Sequence, residues 1–174
     1  EKLFLSLEFG IESIYNETLA HINRGHNFEQ AVAAIEMSAK RKIHIGAHFI
    51  FGLPNETPEM WLHDINIVNA LKINSIKFHQ LQIIKGTKMA EEFTEFPERF
   101  YNFQNMEHYI DFIVRYTERL NPHFIIERFA GEVPPRYLLV NHWGNIRYDV
   151  VLQKIEKELA HQNSWQGKLF FQKL

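Results

Sequence analysis

The sequence predicts an α/β fold built on a parallel sheet, and three observations predict it. Strand-like apolar runs alternate with helical segments in the order β-α-β-α-β-α-β, an alternation that implies parallel strands joined by right-handed crossovers. The run containing Ile43, Ile45, Ala47, Phe49, Ile50 and Phe51 is nearly continuous, as in a strand covered on both faces. A helix start then follows at once: Thr57 suits an N-cap, Pro58 the first turn, and Glu59 complements the helix dipole.

The elements follow in order. "LFLSLEFG" (3–10) reads as a strand closed by Gly10, and a short helix over about 17–23 is stopped by Gly25. Asn27 and Gln30 form a capping-box pattern that opens a longer helix, whose buried face carries Phe28, Ala31, Val32, Ile35 and Ala39. "IHIGAHFIFGLP" (43–54) is the second strand, and the helix capped at Thr57 runs to about Leu71. "SIKFHQLQII" (75–84) is the third strand, closed by Lys85-Gly86-Thr87. A helix from about Met106 to Leu120 precedes a fourth strand, "HFIIERF" (123–129). The segment 131–145, with Pro134-Pro135 and two glycines, reads as a loop with room for one helical turn. Apolar residues at 146, 150, 151, 155 and 159 predict an amphipathic helix over 146–163, after which "SWQGKLFFQKL" folds back or packs on another part. Residues 1–174 thus read as one domain, with the sheet in 1–130 and an extension in 131–174.

Composition excludes more than it assigns. A length of 174 residues and 45% hydrophobic content allow one domain with a sizeable core. A net charge of −2 gives no basic surplus that would draw the chain to nucleic acid. No apolar run reaches the ~18 residues that span a bilayer, and no secretory segment is read, so a cytoplasmic protein with no membrane partner is expected. The absence of cysteine, which removes any thiolate metal site within these residues, agrees with that. The opening "EKLFLSLEFG", without an initiator Met, reads as a piece excised from a longer protein.

In parallel α/β sheets ligands bind at the carboxyl ends of the strands. Glu8, Glu12 and Ser13 fall at the end of the first strand, and Gly52, Pro54, Asn55 and Glu56 at the end of the second. His48 lies within the second strand; Lys77, His79, Gln80 and Gln82 lie on the third; Glu127 and Arg128 lie on the fourth. Charged and imidazole groups in such strands are costly unless paired or used, so their convergence is the sharpest physical signal. Three chemistries remain open on the residues alone. His48 and His79 with a carboxylate suit zinc or non-haem iron, Glu8 and Glu12 suit acid–base work, and rim charges that only pair with one another suit a binding module without chemistry. "FGLPNE" lacks the glycine density of a phosphate loop.

Taken in order, "LEFGIES", "LAHINRGH", "GAHFIFGLPNET" and "IKFHQLQIIKGT" resemble the second half of the radical S-adenosylmethionine core. The branch they resemble most is the uncharacterised bacterial one related to Elp3 and oxygen-independent coproporphyrinogen oxidase. The resemblance covers about residues 3–130. It implies a partial (β/α) TIM-type barrel, of which this chain is the C-terminal half with three to four parallel strands. It implies S-adenosylmethionine and a 4Fe–4S cluster as cofactors, the cluster held by a CxxxCxxC loop outside this cysteine-free chain in the missing N-terminal half-barrel. The full-length protein would then be an oxidoreductase or transferase whose 5′-deoxyadenosyl radical abstracts hydrogen from substrate, and the isolated chain would be inactive.

Residue by residue, the resemblance places Glu12, Ser13 and Arg24 against the ribose or methionine part of the cofactor, and His48 against the ribose. The corner Phe51, Gly52, Leu53 and Pro54 would hold the adenine, with Gln82 completing that pocket and Gly52 letting backbone approach the flat base. Glu12 and His48 stand where the family more often has Gln and Asp. Glu8, Lys77, His79 and Arg128 would face the substrate, a small or nucleotide-like molecule. Arg24, between two helices, is expected to be exposed at the rim. With the upstream half missing, the edge strand 3–10 is expected to drive homodimer formation.

Overall fold

The computed structural model describes residues 4–141, 143–144 and 147–170. Leu3, Ile146 and residues 171–174, which the expected first strand and tail include, lie outside them. Four strands, β1 (Ser6–Glu12), β2 (His44–Phe51), β3 (Ser75–Gln80) and β4 (Ile125–Arg128), pair in chain order, each parallel to the next. Between β1 and β2 run α1 (Asn16–His21) and α2 (Phe28–Ala39). Between β2 and β3 run α3 (Pro58–His63) and α4 (Ile65–Asn69). Between β3 and β4 run α5 (Lys88–Glu95) and α6 (Met106–Thr117), and α7 (Tyr148–His161) follows β4. The four parallel strands with flanking helices form the partial barrel expected of this sequence.

Local rules explain most boundaries. Asn27 and Gln30 make both capping-box bonds at the start of α2, each 2.9 Å. Thr57 caps α3 and Asn105 caps α6 through their side chains. The helix expected as one piece to Leu71 is instead two, broken at Asp64, whose carboxylate accepts a 2.8 Å hydrogen bond from the Tyr15 hydroxyl. Helix α5 was not anticipated, although its cap is legible: the Thr87 hydroxyl accepts from Ala90 N. β3 stops at Gln80 rather than at Ile84. The following residues turn to the segment after β4, where Leu139 N donates to Ile83 O (2.8 Å) in an antiparallel bridge.

β2 also departs from expectation on one face. Ile45, Ala47, Phe49 and Phe51 are buried beneath the helices, but the alternate residues His44, His48 and Ile50 are only partly buried. Helices cover one face of this strand, and polar residues of β1, β3 and β4 share the other. On the covered side Phe51 sits among Trp61, Phe78, Phe112 and Tyr116, with ring centroids 4.8–5.4 Å apart. α7 belongs to that same core, since Val151 and Ile155 are buried in it. The chain then folds back: Gly167 N donates to Thr117 O (3.0 Å), and Leu169 N to Glu118 O (2.7 Å). Among the described residues, no helix is long and apolar enough to cross a membrane.

Candidate functional site

The open face of the sheet carries a continuous polar network. Glu8 of β1 lies opposite Gly46 of β2, where a side chain would crowd both the Glu8 carboxylate and the Ser75 hydroxyl. The Glu8 Oε2 accepts from Lys77 Nζ (2.5 Å) and shares a short hydrogen bond with His48 Nε2. Lys77 also pairs with Glu127 of β4 at 3.2 Å, so the network crosses all four strands. Bonds from Lys77 and then His48 hold the Glu8 carboxyl below its usual range. Desolvation pulls the Lys77 ammonium down, but its bonds to Glu8 and Glu127 outweigh that and raise it. The Ser75 hydroxyl, followed by Lys77, keeps the Glu127 carboxyl low.

His79 stands at the end of this network. Its ring centroid is 6.0 Å from that of His48, and its Nδ1 occupies the space a side chain at Gly131 would need. Burial first, then the nearby His48, Arg128 and Lys77, push its imidazole towards the neutral form. Arg128 is exposed, with its guanidinium 5.8 Å over the Tyr148 ring. Glu8 and Lys77, read from sequence as rim residues, instead sit within the span of the sheet and form its floor.

A second polar group sits where β1 ends. A register shift follows Gly10, and Glu12 takes a left-handed backbone with φ 67°. Arg24 donates two hydrogen bonds to the Gly10 carbonyl (2.6 and 3.2 Å), and its Nη2 lies 3.4 Å from Glu12 Oε1. A Cβ at Gly10 would lie 2.4 Å from the Glu12 carboxylate and 2.5 Å from the Arg24 guanidinium, so a side chain there would displace the ends of both. Arg24 is therefore not the free rim cation expected of it, but is partly buried and tied to β1. Burial raises the Glu12 carboxyl, opposed by Arg24, His48 and His26.

The remaining residues of the corner are committed inward. The Ser13 hydroxyl is buried and donates to Glu56 Oε1 (2.5 Å), while Trp61 Nε1 donates to Glu56 Oε2 (2.6 Å). Phe51, Leu53 and Pro54 are buried too, so the corner has mainly backbone to offer. Gly52, at φ 101°, makes room for this chain's own backbone: a Cβ there would lie 3.0 Å from the Tyr101 carbonyl. Gln82 lies near Gly131, on the edge of a cavity that Gly52 also lines. Glu56 is the residue whose importance the sequence concealed. His48 commits Nε2 to Glu8, and among the described residues no three His, Cys, Asp or Glu side chains gather as a metal set, so the geometry does not favour the metal-hydrolase alternative.

The parallel partial barrel and its polar open face define a class, and two family models give its name. The Radical SAM superfamily model matches residues 3–68, and the Radical_SAM C-terminal domain model matches residues 73–161. The chain belongs to the radical S-adenosylmethionine superfamily. The first match ends within α4 and the second begins just before β3, so the boundary between them divides the sheet's strands into two pairs. The uncharacterized protein YtqA of Bacillus subtilis is 30% identical over 174 residues, covering 100% of this chain and 52% of YtqA. The uncharacterized protein MJ0486 of Methanocaldococcus jannaschii is 27% identical, covering 95% of this chain and 50% of MJ0486. This chain thus spans about half the length of these curated relatives. The structure of Methanocaldococcus infernus Elp3 with an N-terminal deletion superposes with a TM-score of 0.78 at 19% identity, over 93% of this chain and 37% of that one. That likeness concerns the fold.

Proposed function

We propose that this chain is the part of a radical S-adenosylmethionine enzyme that positions the cofactor and floors the substrate cavity. The observation that supports it most is the pairing of Arg24 with Glu12 at the carboxyl end of β1, with His48 of β2 near enough to act on the Glu12 carboxyl, in a chain of this family. The donor set suits the group. A carboxylate at Glu12 accepts from ribose hydroxyls or an ammonium, Arg24 is suited to a carboxylate, and the ring of His48 reaches the same end of the sheet. When bound beside a reduced 4Fe–4S cluster, S-adenosylmethionine supplies hydrogen-atom abstraction, chemistry that belongs to the cofactor. The cluster's thiolates would come from the remainder of a longer protein, because these residues contain no cysteine.

The chain's own residues then bind and orient. The Glu8–Lys77–Glu127 network pairs one ammonium with two carboxylates, so the floor keeps a net negative charge. His79 and Arg128 at its upper end are left to meet a small or nucleotide-like substrate. Anaerobic reconstitution of the full-length protein with iron and sulfide tests the reading. Under reduction it should form 5′-deoxyadenosine from S-adenosylmethionine, and no product above a cluster-free control would overturn it. The 174-residue chain alone should show no iron–sulfur absorption.

The Arg24→Ala substitution in the full-length protein should weaken S-adenosylmethionine binding roughly tenfold to hundredfold, the worth of a charge-assisted hydrogen bond. Calorimetry showing unchanged affinity in a folded variant would remove Arg24 from the site. The isolated chain should also self-associate. β1 is an edge strand, and Phe4 and Leu5 beside it are 82% and 57% exposed. A single monomeric species in sedimentation at every concentration would refute this.

A further inference from the structure

We propose that the open face of the sheet takes a substrate that carries a carboxylate, held between Arg128 and His79. This rests on the reading of that face as the floor of the substrate cavity, and it narrows the substrate to a chemical class. The strand register brings the two side chains together. Ile76 pairs with Ile126 and Lys77 with Arg128, so Glu127 is an extra residue in β4. Such a bulge re-aims the side chains around it. Glu127 reaches Lys77 at 3.2 Å, and Arg128 stands close enough to His79 for its charge to act on the imidazole. Ile50 of β2 pairs with His79 and is only partly buried, which puts an apolar surface beside that ring.

Both groups have donors to give. Among the described residues Arg128 makes no hydrogen bond and no ion pair, and its one contact is with the Tyr148 ring. A guanidinium presents a planar fork of N–H groups that matches a carboxylate with two parallel bonds. His79 likewise has no hydrogen-bond partner among the described residues. Its Nδ1 is turned to Gly131, so Nε2 is the ring nitrogen left to a ligand. Held towards the neutral form, the imidazole donates one N–H from that position.

The floor beneath selects among anions. Glu8 and Glu127 set two carboxylates against the single Lys77 ammonium, and Arg24 is already paired with Glu12 at the end of β1. An approaching anion therefore meets a net negative floor and one unpaired guanidinium. That guanidinium balances one negative charge. A dianionic phosphate would bring a second charge beside Glu127 with nothing to offset it, whereas a planar, monoanionic carboxylate fits both the charge and the fork. The apolar stem of such a substrate lies against Ile50.

Ligand-observed fluorine NMR on the full-length protein, without reductant, tests the site apart from any cleavage of S-adenosylmethionine. The probes 4-fluorobenzoate, 4-fluorobenzamide and 4-fluorophenyl phosphate share a ring and differ in charge. The benzoate should bind saturably and more tightly than the other two. Arg128→Gln should weaken it roughly tenfold to hundredfold, a charge-assisted hydrogen bond's worth, without changing the benzamide. Arg128→Lys keeps the charge without the fork and should lose less. His79→Phe should cost roughly twofold to tenfold, a neutral hydrogen bond's worth. Arg115→Gln, on the exposed side of α6, should change nothing. Tighter binding of the phosphate, or benzoate affinity unmoved in a folded Arg128→Gln protein, would overturn the proposal. Displacement of the benzoate by S-adenosylmethionine would also overturn it, by assigning the subsite to the cofactor's own carboxylate. A protein that binds the benzoate in this pattern yet forms no 5′-deoxyadenosine would lose the function proposed above and keep this site.

Discussion

Phe51→Ala should destabilise the chain by about 3–5 kcal/mol, the range for removing a large aromatic side chain from a packed core. Phe51 is 3% exposed and its ring touches four other rings, contributed by α3, β3 and α6. Truncation therefore strips contacts from three directions at once, and walls supplied by a strand and two helices relax little into the hole. In a chain of this size that loss lowers the melting temperature by roughly 6–20 °C. Phe51→Leu, which retains most of the volume, should cost well under half as much. Urea unfolding measures both, and a cost below about 1.5 kcal/mol for the alanine variant would show that the aromatic cluster repacks freely. The residue adjoins Gly52, so the corner should loosen with the core.

Glu56→Leu should be nearly as damaging, for a different reason. Glu56 is 2% exposed and accepts from Ser13 and Trp61, which join the end of β1 to the start of α3. Leucine fills the space but leaves two buried donors without acceptors, at about 1–3 kcal/mol each. Glu56→Gln keeps the shape and separates charge from packing. Burial raises the Glu56 carboxyl, opposed by bonds from Ser13, Trp61 and Thr18. A raised folded value means that the folded chain holds this proton more tightly than the unfolded chain. Its contribution is thus full below the unfolded value near 4.5 and is lost as pH rises through the folded one. The stability of the native chain relative to Glu56→Gln should fall between acid and neutral pH. A difference flat in pH would mean that Glu56 titrates alike in both states.

What was legible in the sequence was what depends on neighbours along the chain. The caps at Asn27 and Thr57 and the strand pattern of β2 rest on residues a few positions apart, and they hold in the structure. Helix α5 was equally local, with Thr87 as its cap, but its polar sequence masked it. The face assignment of β2 was harder. Ala47, Phe49, Ile50 and Phe51 read as apolar throughout, and only its neighbours show that the His48 side faces Glu8 and Lys77. The long-range partnerships were invisible. Nothing near Glu56 signals Ser13, 43 positions away, and nothing near Arg24 signals that the Gly10 carbonyl will hold it. Side chains at the carboxyl ends of the strands were found by position; their partners depend on the register between strands, which no single strand encodes.

The strand order has a consequence for how the protein is made. Because β1, β2, β3 and β4 pair strictly in chain order, each strand leaving the ribosome finds its partner already synthesised. At about 5–20 residues per second, 174 residues emerge over roughly 10–35 s, so the sheet has time to grow by addition at one edge. The exception is α7, which packs against α6 and places Val151 and Ile155 in the core that the earlier elements share. Until it emerges, the apolar flank of α6 stays uncovered while the sheet beneath is already paired. That interval is when a chaperone would find its grip on the nascent chain.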